Sequence, residues 1–494
     1  MLRKIITAVF IVGLTLSGVS FIANNRQISY QSPVSTPAST PVVSLDGQTS
    51  QAAQADRSPT SNYSQKQAVE YEPQAEGSAK PKTIKIRTTD GYIERPNIRY
   101  QALYAPNDLR PTQWYTNKIG APATWDKTTG SDSTTVAVID TGFALSHDEL
   151  SYRWALNASE QGATSQEGTA PNCTSRGITL DKSCNNIDDD SNGYIDDWRG
   201  WDFDSGDNDP QAGKLAPTDS AVSHGTMVSG LVGAAGNNNI GAASLNWQTK
   251  LLPLQALDDT GTGYTSTIAQ AIRYAVDRGA DVISMSLGTD QPDEVLQIEL
   301  QYAADHNVTV VAAAGNDGCD CLSYPANYPE VIAVGATDST DAVTSFSSYG
   351  ANLDVSAPGA GSLYTTTWTA TNGQSGYTSG SIYGTSFAAP IVGGLAALLK
   401  GVRPDATPAM ITSWIKTGAD PVVSGNGGQG RINAYNSLLL ASPEIVDSLP
   451  SRTTPIYKMT KTNKDPLYTS SYDRKENLRL LQGYSYSIMR FADY

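Results

Sequence analysis

Short apolar runs bounded by turn residues recur through the middle of the chain. They are Val136–Ile139, Leu251–Leu257, Val282–Leu287, Val308–Ala314 and Val331–Val334. Most are apolar at consecutive positions, which predicts strands buried on both faces. Between several of them the apolar positions take a helical spacing, as in Ile268–Val276 and Val295–Ala304. Buried strands alternating with helices predict an α/β fold, a central and mostly parallel sheet with helices on both faces. This pattern holds from Trp114 to about Leu440, so residues 112–441 are expected to form the main domain.

The flanks read differently. Arg3 and Lys4 precede an apolar run from Ile5 to Ala23, the layout of an export signal. Gly18-Val19-Ser20 offers small residues for cleavage, yet the run also approaches the length of a membrane span. Residues 1–24 are therefore a signal peptide or an uncleaved anchor, with residues 5–23 as the tether. Either way the rest of the chain is expected outside the cell, secreted or held at its surface. Residues 25–80 are rich in Ser, Thr, Pro, Gln and Ala, and too poor in large apolar groups to offset their ordering entropy. They predict a disordered leader or stalk, with order resuming near Ile84. Residues 442–494 form a polar, Tyr- and Arg-rich tail in which Pro450 and Pro455 argue against a long helix.

A net charge of −15 excludes a basic nucleic-acid-binding surface. It suits extracellular solubility and the binding of hard cations. One acidic run has a ligand-like spacing: Asp188, Asp190 and Asn192 alternate, with Gly193 at the sixth position. That matches the start of an EF-hand calcium loop, although the twelfth position is Arg199, so Asp196 or Asp197 must supply the missing carboxylate. A solvated acidic turn is the alternative. Four cysteines allow three pairings. Proximity favours Cys173 with Cys184 and Cys319 with Cys321; free thiols are the alternative, since a C-x-C bridge closes a strained ring. No histidine neighbours either pair, which disfavours zinc.

Three further segments carry candidate chemistry. Val136-Ala-Val-Ile-Asp140-Thr-Gly142 is a strand ending in a carboxylate, where ligands of open α/β sheets bind. Ser223-His224-Gly225-Thr226 opens a helix with a histidine beside a glycine. Gly384-Thr385-Ser386-Phe387-Ala388-Ala389-Pro390 places a serine among small residues at the start of the helix Ile391–Leu399. Singly, these are an ordinary turn, cap and N-cap. Together they supply a nucleophile, a base and a carboxylate to orient the base.

With their order Asp140, His224, Ser386, the blocks VAVIDTG, SHGTMVSG and GTSFAAP resemble the signature blocks of the subtilase family of serine peptidases, over roughly Gln113 to Leu440. The resemblance implies a subtilisin-like fold and a monomeric serine endopeptidase acting on protein and peptide substrates, with these three residues as its triad. It also implies that Asn316, in Ala313-Ala314-Gly315-Asn316-Asp317, donates to the oxyanion. Ser286-Leu287-Gly288 and Thr262-Gly263-Tyr264 would be the two edges between which a substrate strand adds. Ala313, Ala314, Gly315 and Ser323 would line the pocket for the side chain before the scissile bond, with Asp317 at a rim that would tolerate basic side chains. Small residues there leave room for a large apolar side chain.

Gly236-Asn237-Asn238-Asn239-Ile240-Gly241-Ala242 resembles the family's structural Ca2+ loop, with Asn238, the carbonyls of Gly236, Ile240 and Ala242, and Glu149 as ligands. Two departures stand out. Phe387 occupies a position where most relatives carry Met. Tyr92-Ile-Glu-Arg-Pro-Asn97 resembles the end of a propeptide, so residues 81–111 are a propeptide-tail-like segment, but the stretch before it is too polar for a complete inhibitory prodomain. A pseudoprotease scaffold would lack a triad or oxyanion residue, and an α/β esterase would carry G-x-S-x-G at the serine. Neither condition is met at Ser386.

Overall fold

The structure is a computed structural model. It describes residues 106–108 and 113–443, apart from positions 170, 171, 174–176, 178, 215, 217–219 and 379, together with short strands outside that block. The expectations for the export segment, the leader and most of the tail fall outside the described residues.

In chain order the strands are β1 Ile5–Thr7, β2 Thr83–Thr88, β3 Gly91–Pro96, β4 Thr135–Asp140, β5 Trp201–Asp202, β6 Lys250–Gln255, β7 Thr262–Tyr264, β8 Val282–Met285, β9 Thr309–Ala313, β10 Val331–Thr337, β11 Val355–Pro358, β12 Ala360–Gly361, β13 Thr366–Thr369, β14 Gln374–Tyr377, β15 Ile382–Tyr383, β16 Ile456–Thr460, β17 Leu467–Thr469 and β18 Ser485–Met489. The helices are α1 Trp114–Lys118, α2 Ala121–Trp125, α3 His224–Gly233, α4 Thr265–Asp277, α5 Glu294–Asp305, α6 Thr385–Val402, α7 Pro408–Gly418 and α8 Ala434–Ala441.

Seven strands form one sheet in the order β11-β10-β9-β8-β4-β6-β5. Every neighbouring pair is parallel. The cause is visible in β4, whose side chains alternate between two apolar layers. Val136 and Val138 pack with Val228 and Leu231 of α3 and Leu395 of α6. Ala137 and Ile139 pack with Ile268 and Ile272 of α4 and Leu296 and Leu300 of α5. A strand covered on both faces has no polar face to show, and this explains the unbroken apolar runs. Helix α6 is apolar and long enough to cross a membrane, but 83% of its apolar window is buried, so it is the core helix of this fold.

The chain divides into two units, residues 14–100 and the remainder. Within the first, β2 and β3 pair as an antiparallel hairpin. Within the second, β1 pairs antiparallel with β7, and β16 lies between β17 and β18 in an antiparallel sheet. The tail segment thus contains strands where the prolines argued against a long helix.

Candidate active site

The carboxyl ends of β4, β8 and β9 open on one edge of the parallel sheet, the edge where such folds bind ligands. Asp140 ends β4 and is fully buried. Its Oδ1 accepts hydrogen bonds from His224 Nδ1 at 2.6 Å and from the Thr141 N–H at 2.8 Å. Oδ2 has no partner among the described residues. His224 is the first residue of α3, so its ring leaves the helix start toward β4. Gly225 permits this approach, because a Cβ there would sit 2.5 Å from the Thr141 carbonyl oxygen. The Gly225 N–H instead bonds Thr141 Oγ1 at 2.9 Å. A Nδ1 that donates to a buried carboxylate leaves Nε2 as the basic nitrogen.

Ser386 lies in the first turn of α6 and exchanges hydrogen bonds with Ser286, just past β8. Ser386 Oγ donates to the Ser286 carbonyl at 3.2 Å, and Ser286 Oγ donates to the Ser386 carbonyl at 2.8 Å. The second bond has a local cause. Pro390 sits inside α6 and lacks the N–H that would bond the carbonyl four residues earlier, that of Ser386. Ser286 supplies the missing donor. Ser286→Ala is therefore expected to lower stability by about 1–3 kcal/mol, the cost of an orphaned buried acceptor. Pro390→Ala in the same chain should offset much of that loss by returning an amide at 390. Urea unfolding of the two single variants and the double variant checks this; additive losses would refute the account.

Asn316 follows β9, and its Oδ1 accepts from the Thr385 N–H at 2.9 Å and from Thr385 Oγ1 at 3.1 Å. Two donors on Oδ1 fix the orientation of the amide, so Nδ2 is the group left to donate on the other side. Thr385 was not among the residues expected from sequence, although it sits beside the serine in the GTS block. Phe387 packs its ring against His224, with centroids 5.7 Å apart. Activity is expected to survive peroxide better than in a relative with Met at this position, because no thioether adjoins the serine. Loss of activity that maps to active-site oxidation would contradict this.

A small open cleft is lined by Ser286, Leu287, Gly288, Ala313, Gly315, Asn316, Asp317, Ser323, Thr385 and Ser386. It gathers the expected pocket residues except Ala314, whose side chain belongs to the opposite layer with α4 and α5. The period of the strand explains this, since Ala313 and Ala314 must face opposite ways. Gly315 adopts φ +106° and a Cβ there would lie 2.4 Å from Ser323 Oγ, so only glycine fits this wall. The disulfide Cys319–Cys321 follows directly, and Cys173–Cys184 forms the other bridge. Backbone bonds tie the first of them to Tyr349, from the Tyr349 N–H to the Cys319 carbonyl and from the Cys321 N–H to the Tyr349 carbonyl. Thr262, Gly263 and Tyr264 form β7 apart from this lining. Its Gly263 bridges Leu257, whose N–H bonds the Asp140 carbonyl at 3.2 Å.

A profile described as the Subtilase family matches residues 131–438. The chain belongs to the subtilase family. Thermitase of Thermoactinomyces vulgaris is 34% identical over 340 residues, covering 68% of this chain and 99% of thermitase. Halolysin of Haloferax mediterranei is 33% identical over 350 residues, covering 70% of this chain, which spans 57% of halolysin's length. Subtilisin Savinase of Lederbergia lenta is 39% identical over 221 residues, covering 44% of this chain and 78% of that protein. Among solved structures, a protease of Pseudoalteromonas arctica PAMC 21717 superposes with a TM-score of 0.53 at 29% identity, covering 69% of this chain and all of that one. By family and relatives this subtilase is a subtilisin-like serine endopeptidase.

Two acidic regions lie away from the cleft. In the first, Glu149 is fully buried. It accepts from Asn238 Nδ2 at 3.1 Å and from the Ala242 N–H at 3.2 Å. Burial pushes its carboxyl up to about 7, with the charge of Asp108 adding to the rise. Asp108, unexpected from sequence, accepts the Asn238 N–H at 2.9 Å through Oδ2, while its Oδ1 is buried without a partner. Gly236 and Ile240 lie in the same loop, and the Ile240 N–H bonds Asn238 Oδ1 at 3.1 Å. Two buried carboxylates with an orphaned oxygen suit a hard cation.

In the second region Asp188 Oδ1 and Asp190 Oδ1 both accept the Asn192 N–H, so these two expected ligands lie together. Asp188 binds the N–H groups of Asn192 and Gly193, and both oxygens of Asp196 accept the Asn186 N–H. Asn192 Oδ1 accepts the Tyr194 N–H. Those bonds hold the turn itself. Asp190 and Asp197 also come together with Glu160, a residue outside the acidic run, as a carboxylate group able to hold a metal ion. Burial and then the charges of Asp197 and Asp189 raise Glu160 to about 7.

Proposed function

We propose that this subtilase hydrolyses peptide bonds through an acyl-enzyme on Ser386, with His224 as base and acid, Asp140 as its orienting carboxylate and Asn316 as oxyanion donor. The carrying observation is the buried 2.6 Å bond between His224 and Asp140 on the sheet edge where Ser386 and Asn316 line one cleft. His224 takes the Ser386 proton as Oγ attacks the scissile carbonyl, and the resulting imidazolium faces Asp140. The negative oxygen of the tetrahedral intermediate is held by Asn316 Nδ2 and the Ser386 N–H at the start of α6. His224 then protonates the leaving amine, and water repeats the sequence in reverse.

The substrate would lie extended between β7 and Ser286–Gly288, adding as a strand. The antiparallel pairing of β7 with β1 supports an edge that accepts an extended partner. The glycine and alanine walls favour a large apolar side chain before the scissile bond, with Asp317 tolerating a basic one. The leading Arg-Lys and apolar run support export, released or tethered, and processing between about Asn97 and Thr112 would define the mature start. Glu149, Asp108 and Asn238, with carbonyls of their loop, would hold a Ca2+ ion whose charge stabilises the fold rather than taking part in the reaction.

A fluorophosphonate probe tests the central assignment. The folded, calcium-loaded protein is expected to label and Ser386→Ala to stay unlabelled. Failure of the folded wild type to label would reverse the reading toward a non-catalytic scaffold.

A further inference from the structure

The loop between β9 and β10 carries the wall of the cleft and a disulfide together. Gly315, Asp317 and Ser323 line the cleft, and the Cys319–Cys321 bridge falls between the last two. Cys319 and Cys321 are both exposed, whereas Cys173 and Cys184 are both buried. Only Asp320 separates the ends of the exposed bridge, so it closes almost no loop in the unfolded chain and adds little to global stability by that route. Its effect is local, on the wall in which it sits.

Ser348 joins the sulfur to that wall. This serine is fully buried. Its N–H donates to the Gly315 carbonyl at 3.0 Å, and its Oγ accepts the Asp317 N–H at 3.2 Å. The same Oγ lies 3.8 Å from Cys321 Sγ. A sulfur bonded to sulfur carries no hydrogen, so the hydroxyl is the donor of that weak bond. Backbone bonds seat the loop on its neighbours. The Gly318 N–H donates to the Phe346 carbonyl at 2.8 Å, the Cys321 N–H to the Tyr349 carbonyl at 3.0 Å and the Ser323 N–H to the Ala314 carbonyl at 2.9 Å. None of these needs the bridge, so opening it frees the span from Asp317 to Ser323 without unseating the loop.

We propose that Cys319–Cys321 is a site of thiol–disulfide exchange with a small dithiol, and that its reduction relaxes the choice of side chain before the scissile bond, given the placing of that side chain in this cleft under the proposed function. A thiolate of the dithiol attacks the exposed Cys319 Sγ, forming a mixed disulfide there as the Cys319–Cys321 bond breaks. Cys321 leaves as the thiolate, with the Ser348 hydroxyl in place to donate to it, and then takes a proton from water. The second thiol of the reagent attacks the reagent's own sulfur in the mixed disulfide and releases Cys319, which is protonated in turn. The dithiol ends as a cyclic disulfide, and two electrons and two protons have passed to the protein. Burial withholds Cys173–Cys184 from the same attack.

The full-length Ser386→Ala protein, used to prevent self-digestion, is treated with rising concentrations of dithiothreitol, its thiols are blocked with iodoacetamide, and the blocked positions are mapped by mass spectrometry. Cys319 and Cys321 are expected to carry the label at concentrations that leave Cys173 and Cys184 bridged, and amide hydrogen exchange over residues 315–323 is expected to quicken in that species. In the active enzyme, the ratio of kcat/KM for a peptide with Phe before the scissile bond to that for one with Ala should fall several-fold on reduction, while a fluorophosphonate still labels Ser386. The double variant Cys319→Ser with Cys321→Ser should show the lowered ratio without dithiothreitol and no response to it. Equal labelling of the two cysteine pairs, or opened cysteines without faster exchange, overturns the proposal and leaves the reading of the cleft standing. Faster exchange with an unchanged ratio overturns the proposal and that reading together. Loss of fluorophosphonate labelling on reduction places the effect on the catalytic residues and overturns the proposal alone.

Discussion

Ser386→Ala and His224→Ala are each expected to lower kcat by about 10⁶, and the double variant to fall no further. The scale is that of the corresponding changes in a subtilisin, a relative of this chain. The non-additivity has a physical root: a serine hydroxyl is a poor nucleophile without a base, and the base has nothing to activate without the hydroxyl. Asp140→Asn should cost less, about 10⁴. Asp140 Oδ1 accepts from both His224 Nδ1 and the Thr141 N–H. An asparagine can keep its oxygen on Thr141 and turn its NH₂ toward His224, which forces the wrong tautomer while leaving the geometry intact. Steady-state kinetics on a chromogenic peptide measure all of these. A Ser386→Ala variant retaining a hundredth of the activity, or a double variant markedly worse than either single, would place the chemistry elsewhere.

What could be read from sequence depended on how local its cause is. Strands such as β4 and β9 are legible because burial on both faces leaves an apolar run of the right length, and the motifs at their ends mark where the cleft opens. The acidic loop was legible only in part, because spacing shows neither which oxygens also hold backbone amides nor which carboxylates arrive from elsewhere in the chain. Asp188 and Asp196 satisfy backbone N–H groups of their own turn, and Glu160 enters from 28 residues before Asp188. Asp108 meets Asn238 across 130 residues, and no local pattern encodes such a contact. Ala314 is the opposite case. Strand period alone assigns it to the far layer once Ala313 is given to the pocket.

Asn316→Ala is expected to lower kcat by about 10²–10³ with little change in KM, the scale found when the equivalent donor of a subtilisin is removed. The oxygen it serves is negative only in the tetrahedral intermediate, so the lost bond weakens the transition state and spares the bound substrate. The structure adds a dependence on Thr385. Its N–H and hydroxyl both hold Asn316 Oδ1, at 2.9 and 3.1 Å, and so aim Nδ2. Thr385→Val keeps the branched shape and the backbone donor but loses the hydroxyl. It should lower kcat by a smaller factor in the same direction, and it should cost little once Asn316 is already alanine. That coupling separates aiming from packing, because a merely structural threonine would lower activity equally in both backgrounds. If Asn316→Ala instead raises KM and leaves kcat unchanged, Asn316 binds substrate and the oxyanion is held by other donors.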